Sequence, residues 1–94
     1  MLTVTEPALH RLSRRLARRK AAEGMALRFV RREGGWKLCV DHESAGDTTF
    51  THEGKKVLLL DEDVAKAMAD LTLDSRPESK KLGLKLYRDP PRED

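Results

Sequence analysis

Cys39-Val40-Asp41-His42 is the stretch of this sequence with the most chemical promise. A thiol and an imidazole separated by two residues have metal-ligand spacing, although no second such pair accompanies them. Cys39 is the only cysteine, so neither an internal disulfide nor a multi-cysteine metal site can form within one chain. The plainer reading of Cys39 is a small packing residue in a strand. Asp41 and Glu43 flank His42, but paired-carboxylate acid/base work needs a cleft and a held separation, and neither is encoded locally. Asp61, Glu62 and Asp63 suit a helix N-terminus better than a hard cation. His10 and His52 are expected at the surface or at a sheet edge. Gly34-Gly35 makes a turn, and no phosphate-cradling glycine loop or nucleophile–His–Asp order is present. No enzyme is expected, and no cofactor is assigned.

A second group of residues carries charge rather than chemistry. Residues 1–32 hold eight Arg and Lys20 against Glu6 and Glu23, a net of +7, while residues 33–94 hold ten bases and fourteen acids, a net of −4. Arg11, Arg14, Arg15, Arg18 and Arg19 fall on the flank of one helix. Arg31 and Arg32 stand beside the turn that precedes Trp36. Such a face is solvated in the plainest case. It can also steer an acidic protein partner or a phosphate backbone. The plainer reading of Trp36 is core packing; beside arginines it also suits an exposed anchor at a subunit or partner interface, and the same indole could stack a base. Only Phe29, Trp36, Phe50 and Tyr87 are aromatic, which weakens the nucleic-acid reading.

The elements that must position these residues follow from periodicity. Leu2 to Thr5 is β-prone. Thr5-Glu6-Pro7 starts a helix whose Leu9, Leu12 and Leu16 form one stripe, with an end expected near Glu23-Gly24. From Ala26 the period changes to two. Leu27 and Phe29, then Trp36, Leu38 and Val40, predict a hairpin around Glu33-Gly34-Gly35 with one packed and one largely wet face. Residues 48–52 and 56–60 make two further strands, the second apolar on both faces and therefore central. Asp61 caps a short helix over about 62–69. Residues 71–76 and a segment containing Leu82, Leu84 and Leu86 form the last strands, with a loop at 77–80 between them. The order is β-α-β-β-β-β-α-β-β. It predicts a mainly β (α+β by content), small mixed or antiparallel barrel or sandwich with two helices at its ends.

At 94 residues and with 38% hydrophobic composition, the chain supports one domain over 1–90, with 91–94 as a frayed tail. No apolar run spans a bilayer and no signal-peptide core follows Met1, so a soluble cytoplasmic protein is expected.

Along nearly its whole length the sequence resembles the HesB-like family of A-type iron–sulfur carrier and scaffold proteins. Thr3-Val4-Thr5-Glu6 with Ala8 is similar to the family's opening. Leu27-Arg28-Phe29-Val30 leading to Gly34-Gly35 is similar to the strand before its Gly-Gly-Cys turn. Phe50-Thr51-His52-Glu53-Gly54, Val57 and Leu58-Leu59-Leu60-Asp61 resemble its central hairpin. Met68 to Asp74, ending in Leu73-Asp74-Ser75, and Gly83-Leu84-Lys85-Leu86 with Asp89-Pro90 resemble its closing segments. The resemblance implies a β pseudo-barrel capped by helices, association into dimers or tetramers, and iron or cluster binding through one Cys after the Gly-Gly turn and a C-terminal Cys-x-Cys.

The departures from this pattern fall on the ligands. Trp36 stands at the first ligand position, Cys39 lies three residues later, and Pro91-Arg92-Glu93-Asp94 contains no Cys. Asp70 also replaces a family glycine. A cluster normally takes four thiolates, and one thiol per chain reaches four only in a tetramer. Three functions follow. The first is a non-enzymatic HesB-like domain without the standard ligands, acting as a protein-interaction or regulatory module, with Trp36, Arg11, Arg14, Arg15, Arg18, Arg19, Arg31 and Arg32 as contact residues. The second is a metal or iron–sulfur accessory protein using Cys39 and His42 of different subunits. The third is a basic nucleic-acid-binding module.

Overall fold

In the computed structural model, which describes residues 1–20, 23–76 and 83–88, Thr5 joins strand β1 (Thr3–Val4) to helix α1 (Glu6–Arg18). Its Oγ1 accepts from the Ala8 amide at 3.3 Å and donates to Asp74 Oδ1 at 2.7 Å. One hydroxyl thus caps the helix and ties it to a strand about seventy residues away. Ala8, Leu12 and Leu16 are buried at i, i+4 and i+8, and Leu9 packs beside them. The helix ends before the expected Glu23-Gly24. The Lys20 amide turns back to the Ala17 carbonyl at 3.2 Å, and Lys20 enters the left-handed region at φ 51°, which stops helical propagation.

Strands β2 (Met25–Arg32) and β3 (Gly35–His42) form the antiparallel hairpin, in register from Met25↔His42 to Arg32↔Gly35. Its loop is two residues, Glu33 and Gly34, with Gly34 at φ 89°. Gly35, expected in the turn, is the first residue of β3. Strands β4 (Thr48–His52) and β5 (Lys55–Leu60) make a second hairpin, with an irregularity between Phe50 and Thr51. β5 also runs parallel to β2, so the order is β3-β2-β5-β4. β5 is interior as expected, and all of Val57 to Leu60 are fully buried.

Asp61 caps helix α2 (Glu62–Ala67) by accepting from the Val64 amide at 2.8 Å. The helix stops two residues short of the expected 69, because Met68 to Asp70 already form a turn. β6 (Leu71–Ser75) then pairs with β1 in parallel and with β7 (Leu84–Arg88) antiparallel. The element order matches the expectation, and the pairing is mixed. The two sheets, of three and four strands, do not close into a true barrel. Helix α1 packs against β6, β5, β4 and β2, and one core joins Leu12 and Leu16 to Leu27, Phe29, Leu58, Leu60 and Leu73. The loop expected at 77–80, the start of the last strand at Leu82, and the tail at 91–94 lie outside the described residues. Among the described residues no helix is long and apolar enough to cross a membrane.

Candidate functional site

The two-residue turn places Trp36 directly across from Arg31. Opposite residues of an antiparallel pair share a face, so Trp36 lies on the core side with Phe29, Leu38 and Val40. Its ring meets Phe29 edge-on, with centroids 6.4 Å apart and planes at 71°. The Arg31 guanidinium covers its outer side, 4.7 Å from the ring centroid. Trp36 is thus half-buried, one face in the core and the other under a cation. The position that the resemblance gives to a thiolate is filled by packed indole.

Cys39 lies on the opposite face of the same strand, in register with Arg28. His42 is three residues further along, and strand alternation turns residues three apart to opposite faces. The Cys-x-x-His spacing, suitable on a turn or helix, is therefore divided by the strand that carries it. Among the described residues no group of three or more His, Cys, Asp or Glu side chains could hold a metal ion. An iron–sulfur cluster does not fit this donor set: one thiolate faces away from Trp36, and four are normally needed.

The face expected to be largely wet is instead closed by an arginine. Arg28 is only 7% exposed, and Ala26 on the same side of β2 is buried. The Arg28 Nε donates to Asp41 Oδ2 at 2.8 Å. Its Nη1 and Nη2 donate to Asp47 Oδ1 and Oδ2 at 3.0 and 2.6 Å, and Nη2 also reaches the His42 carbonyl at 3.1 Å. Asp47 Oδ2 accepts from the Ser44 amide at 2.7 Å, which folds the 43–47 loop around the pair. This fork holds the Asp47 carboxyl well below the usual carboxylate range, with the Ser44 amide assisting. Asp41 is lowered first by the His42 amide and then by Arg28. The Arg28 guanidinium is raised above its ordinary value, chiefly by Asp47. Sequence reasoning gave none of the three this role. The available signal was an arginine inside the apolar run 25–30 of β2, followed by two aspartates around a glycine loop.

The arginines of α1 divide into two sets. Arg11, Arg14, Arg15 and Arg18 line an open groove of about 200 Å³ together with His10 and Ser75 of β6. Arg19 follows the helix as its cap and is exposed. Arg31 and Arg32 are also exposed, at the far end of β2, and do not line this groove. His10 meets His52 edge-on, with ring centroids 5.9 Å apart, and the His52 side chain is largely covered. The sequence placed the arginines on one helix flank but did not reveal β6 as the second wall.

The sequence matches no profile of a known family and no curated protein. Solved structures do match. Escherichia coli SufA, involved in biosynthesis of iron–sulfur clusters, is 25% identical with a TM-score of 0.67, over 93% of this chain and 84% of its own. IscA solved with its [2Fe-2S] cluster is 16% identical with a TM-score of 0.58, over 94% of this chain and 85% of its own. A protein from Aquifex aeolicus is 21% identical with a TM-score of 0.61, over 95% of this chain and 91% of its own. The chain is thus a structural relative of the HesB-like SufA and IscA proteins, with one cysteine and with tryptophan where the resemblance expects the first ligand.

Proposed function

We propose that this chain is a protein-interaction module built on the HesB-like fold rather than a carrier of iron–sulfur clusters. Trp36 carries this reading: a ring wedged against Phe29 and covered by Arg31 fills the strand position just after the turn, where the resemblance implies that a carrier would present sulfur. The scaffold around it is intact, and Cys39 on the other side of β3 supplies a single donor. Exposed Arg14, Arg18 and Arg19, half-buried Arg11 and Arg15 among them, and Arg31 and Arg32 beside Trp36 provide positively charged surface for an acidic partner. A small domain of this kind also gains apolar burial by associating with itself, and a lone thiol suits a reducing cytoplasm. No chemical step is assigned to it.

The test is anaerobic reconstitution of the purified protein with iron and sulfide, followed by metal and sulfide analysis, visible absorption, and sizing by light scattering. The expected result is no stoichiometric cluster in the wild type or in Cys39→Ser. Cluster uptake that depends on Cys39 would overturn the module reading in favour of shared ligation between subunits.

A further inference from the structure

We propose that the groove between α1 and the end of β6 is a binding site for an acidic segment of a partner protein, held through carboxylates on alternate residues. This inference rests on the interaction-module reading and gives it a location and a ligand class.

The groove is built rather than a chance gathering of surface charge. Arg11 is anchored, its Nε donating to Ser75 Oγ at 3.1 Å. Its guanidinium lies over Gly83, where an added Cβ would sit 2.4 Å from Nη1. The absent side chain at Gly83 therefore leaves the room in which Arg11 rests. An arginine held in place loses less freedom when it binds. The Nε of Arg15 is buried and has no hydrogen-bond partner among the described residues. A buried, unsatisfied donor is costly unless a ligand completes its surroundings.

The electrostatics point the same way. Among the described residues no carboxylate lies within 4.0 Å of Arg11, Arg14, Arg15 or Arg18, although Arg28 and Arg76 elsewhere are both ion-paired. Burial, and then the neighbouring charges of Arg19 and Arg18, lower the Arg15 pKa. An anion in the groove would offset that repulsion.

Spacing and shape decide the class of anion. Arg11 and Arg15, and likewise Arg14 and Arg18, are four residues apart, about 6 Å along the helix axis. Alternate side chains of an extended peptide repeat at about 6.7 Å on one face, so successive carboxylates can meet successive guanidinium forks. A single nucleic-acid strand fits less well, because its binding draws on rings on which bases stack as well as on phosphate charge. His10 is the single aromatic ring among the described residues of this groove, and it is turned edge-on to His52.

The experiment is fluorescence anisotropy at low salt with a labelled peptide of alternating Glu and Gly. A single-stranded oligonucleotide of equal charge and inorganic phosphate are the competing probes. The peptide is expected to bind and to displace the oligonucleotide. Arg14→Ala and Arg18→Ala, both at exposed positions, are each expected to weaken binding about three- to fivefold. Arg14→Glu is expected to abolish it, while Lys66→Ala on α2 leaves it unchanged. Far-UV circular dichroism confirms that each variant is folded. Amide chemical-shift changes are expected at residues 8–18 and 75. No peptide binding at low salt, binding indifferent to Arg14→Ala and Arg18→Ala, tighter binding of the oligonucleotide, or equal occupancy by phosphate alone would each overturn the assignment. None of these results requires cluster uptake, so the groove can fail while the interaction-module reading stands. Cluster binding through Cys39 would overturn that reading without moving the peptide titration.

Discussion

Arg28 grips Asp47 with both arms of its guanidinium, at 3.0 and 2.6 Å, from positions nineteen residues apart. The side chains are 8% and 2% exposed. Removing one partner would leave a buried charge poorly matched. Asp47→Ala is therefore expected to destabilise the fold by about 3 kcal/mol, read from the urea midpoint. A double variant, Arg28→Met with Asp47→Ala, is expected to recover part of that loss, because a buried pair replaced by apolar groups removes its desolvation cost as well. Equal or additive losses in the two variants would show that the pair does not act as a unit.

The same network sets the response to acid. Asp47 is held low by Arg28 and then by the Ser44 amide, Asp41 by the His42 amide and Arg28, and Asp74 by the Thr5 hydroxyl and the Ser75 amide. Their folded-state values lie below those of the unfolded chain. Their contribution is complete above the unfolded carboxylate value of about 4, and it is lost as pH falls through the folded values. Chemical denaturation between neutral pH and about pH 2.5 is expected to show a plateau and then a decline below about pH 4. Asp47→Asn should lower the plateau and flatten the decline. A variant curve parallel to the wild type would argue against this origin.

Trp36→Ala removes an edge-on ring contact and uncovers Phe29. Full burial of an aromatic would make this cost 3–5 kcal/mol, so a half-buried ring is expected to cost about 1–2 kcal/mol. Arg31→Ala should cost less than about 1 kcal/mol, since only the cation over the ring is lost. Trp36→Cys, reconstituted anaerobically, is expected to remain without a stoichiometric cluster, because the added thiol and Cys39 lie three residues apart on β3 and so face opposite sides. Iron and sulfide retained by that single change would show that the tryptophan alone had blocked ligation.

Gly83 stands at φ 69°, where a side chain is strained. Gly83→Ala is expected to cost about 1 kcal/mol from the backbone alone. The larger sign of its role should be displacement of Arg11 from Ser75, since the flexible end of the arginine yields before the strand does. Loss of the Arg11–Ser75 hydrogen bond in the amide and side-chain NMR spectrum, with a modest drop in melting temperature, checks both effects.

The strands and helices were legible because their signals are local. Leu12 and Leu16 mark a helix stripe, Val57 to Leu60 mark a central strand, and Thr5 and Asp61 mark caps. The end of α1 was not legible, since nothing in Arg18-Arg19-Lys20 announces that Lys20 will adopt a positive φ. The candidate site was half visible. The arginines showed their helical spacing, and Trp36 showed a missing thiolate. Ser75 as the far side of the groove, and Gly83 beneath Arg11, depend on β6 lying beside α1, and no neighbouring residue reports that placement. Arg28 was misjudged for a related reason. Alternation assigns a face, but whether that face meets water depends on where the 43–47 loop folds.

The first strand has a consequence for how the chain is made. Thr3 and Val4 pair with Thr72 and Leu73, and Thr5 bonds Asp74. During synthesis α1 leaves the ribosome with its leucines ready but with its β6 neighbour still untranslated. At about 5–20 residues per second that interval is roughly 3–14 s. The leucine stripe therefore depends on the nascent β2–β5 sheet for early shelter, and β1 is among the last pieces to dock.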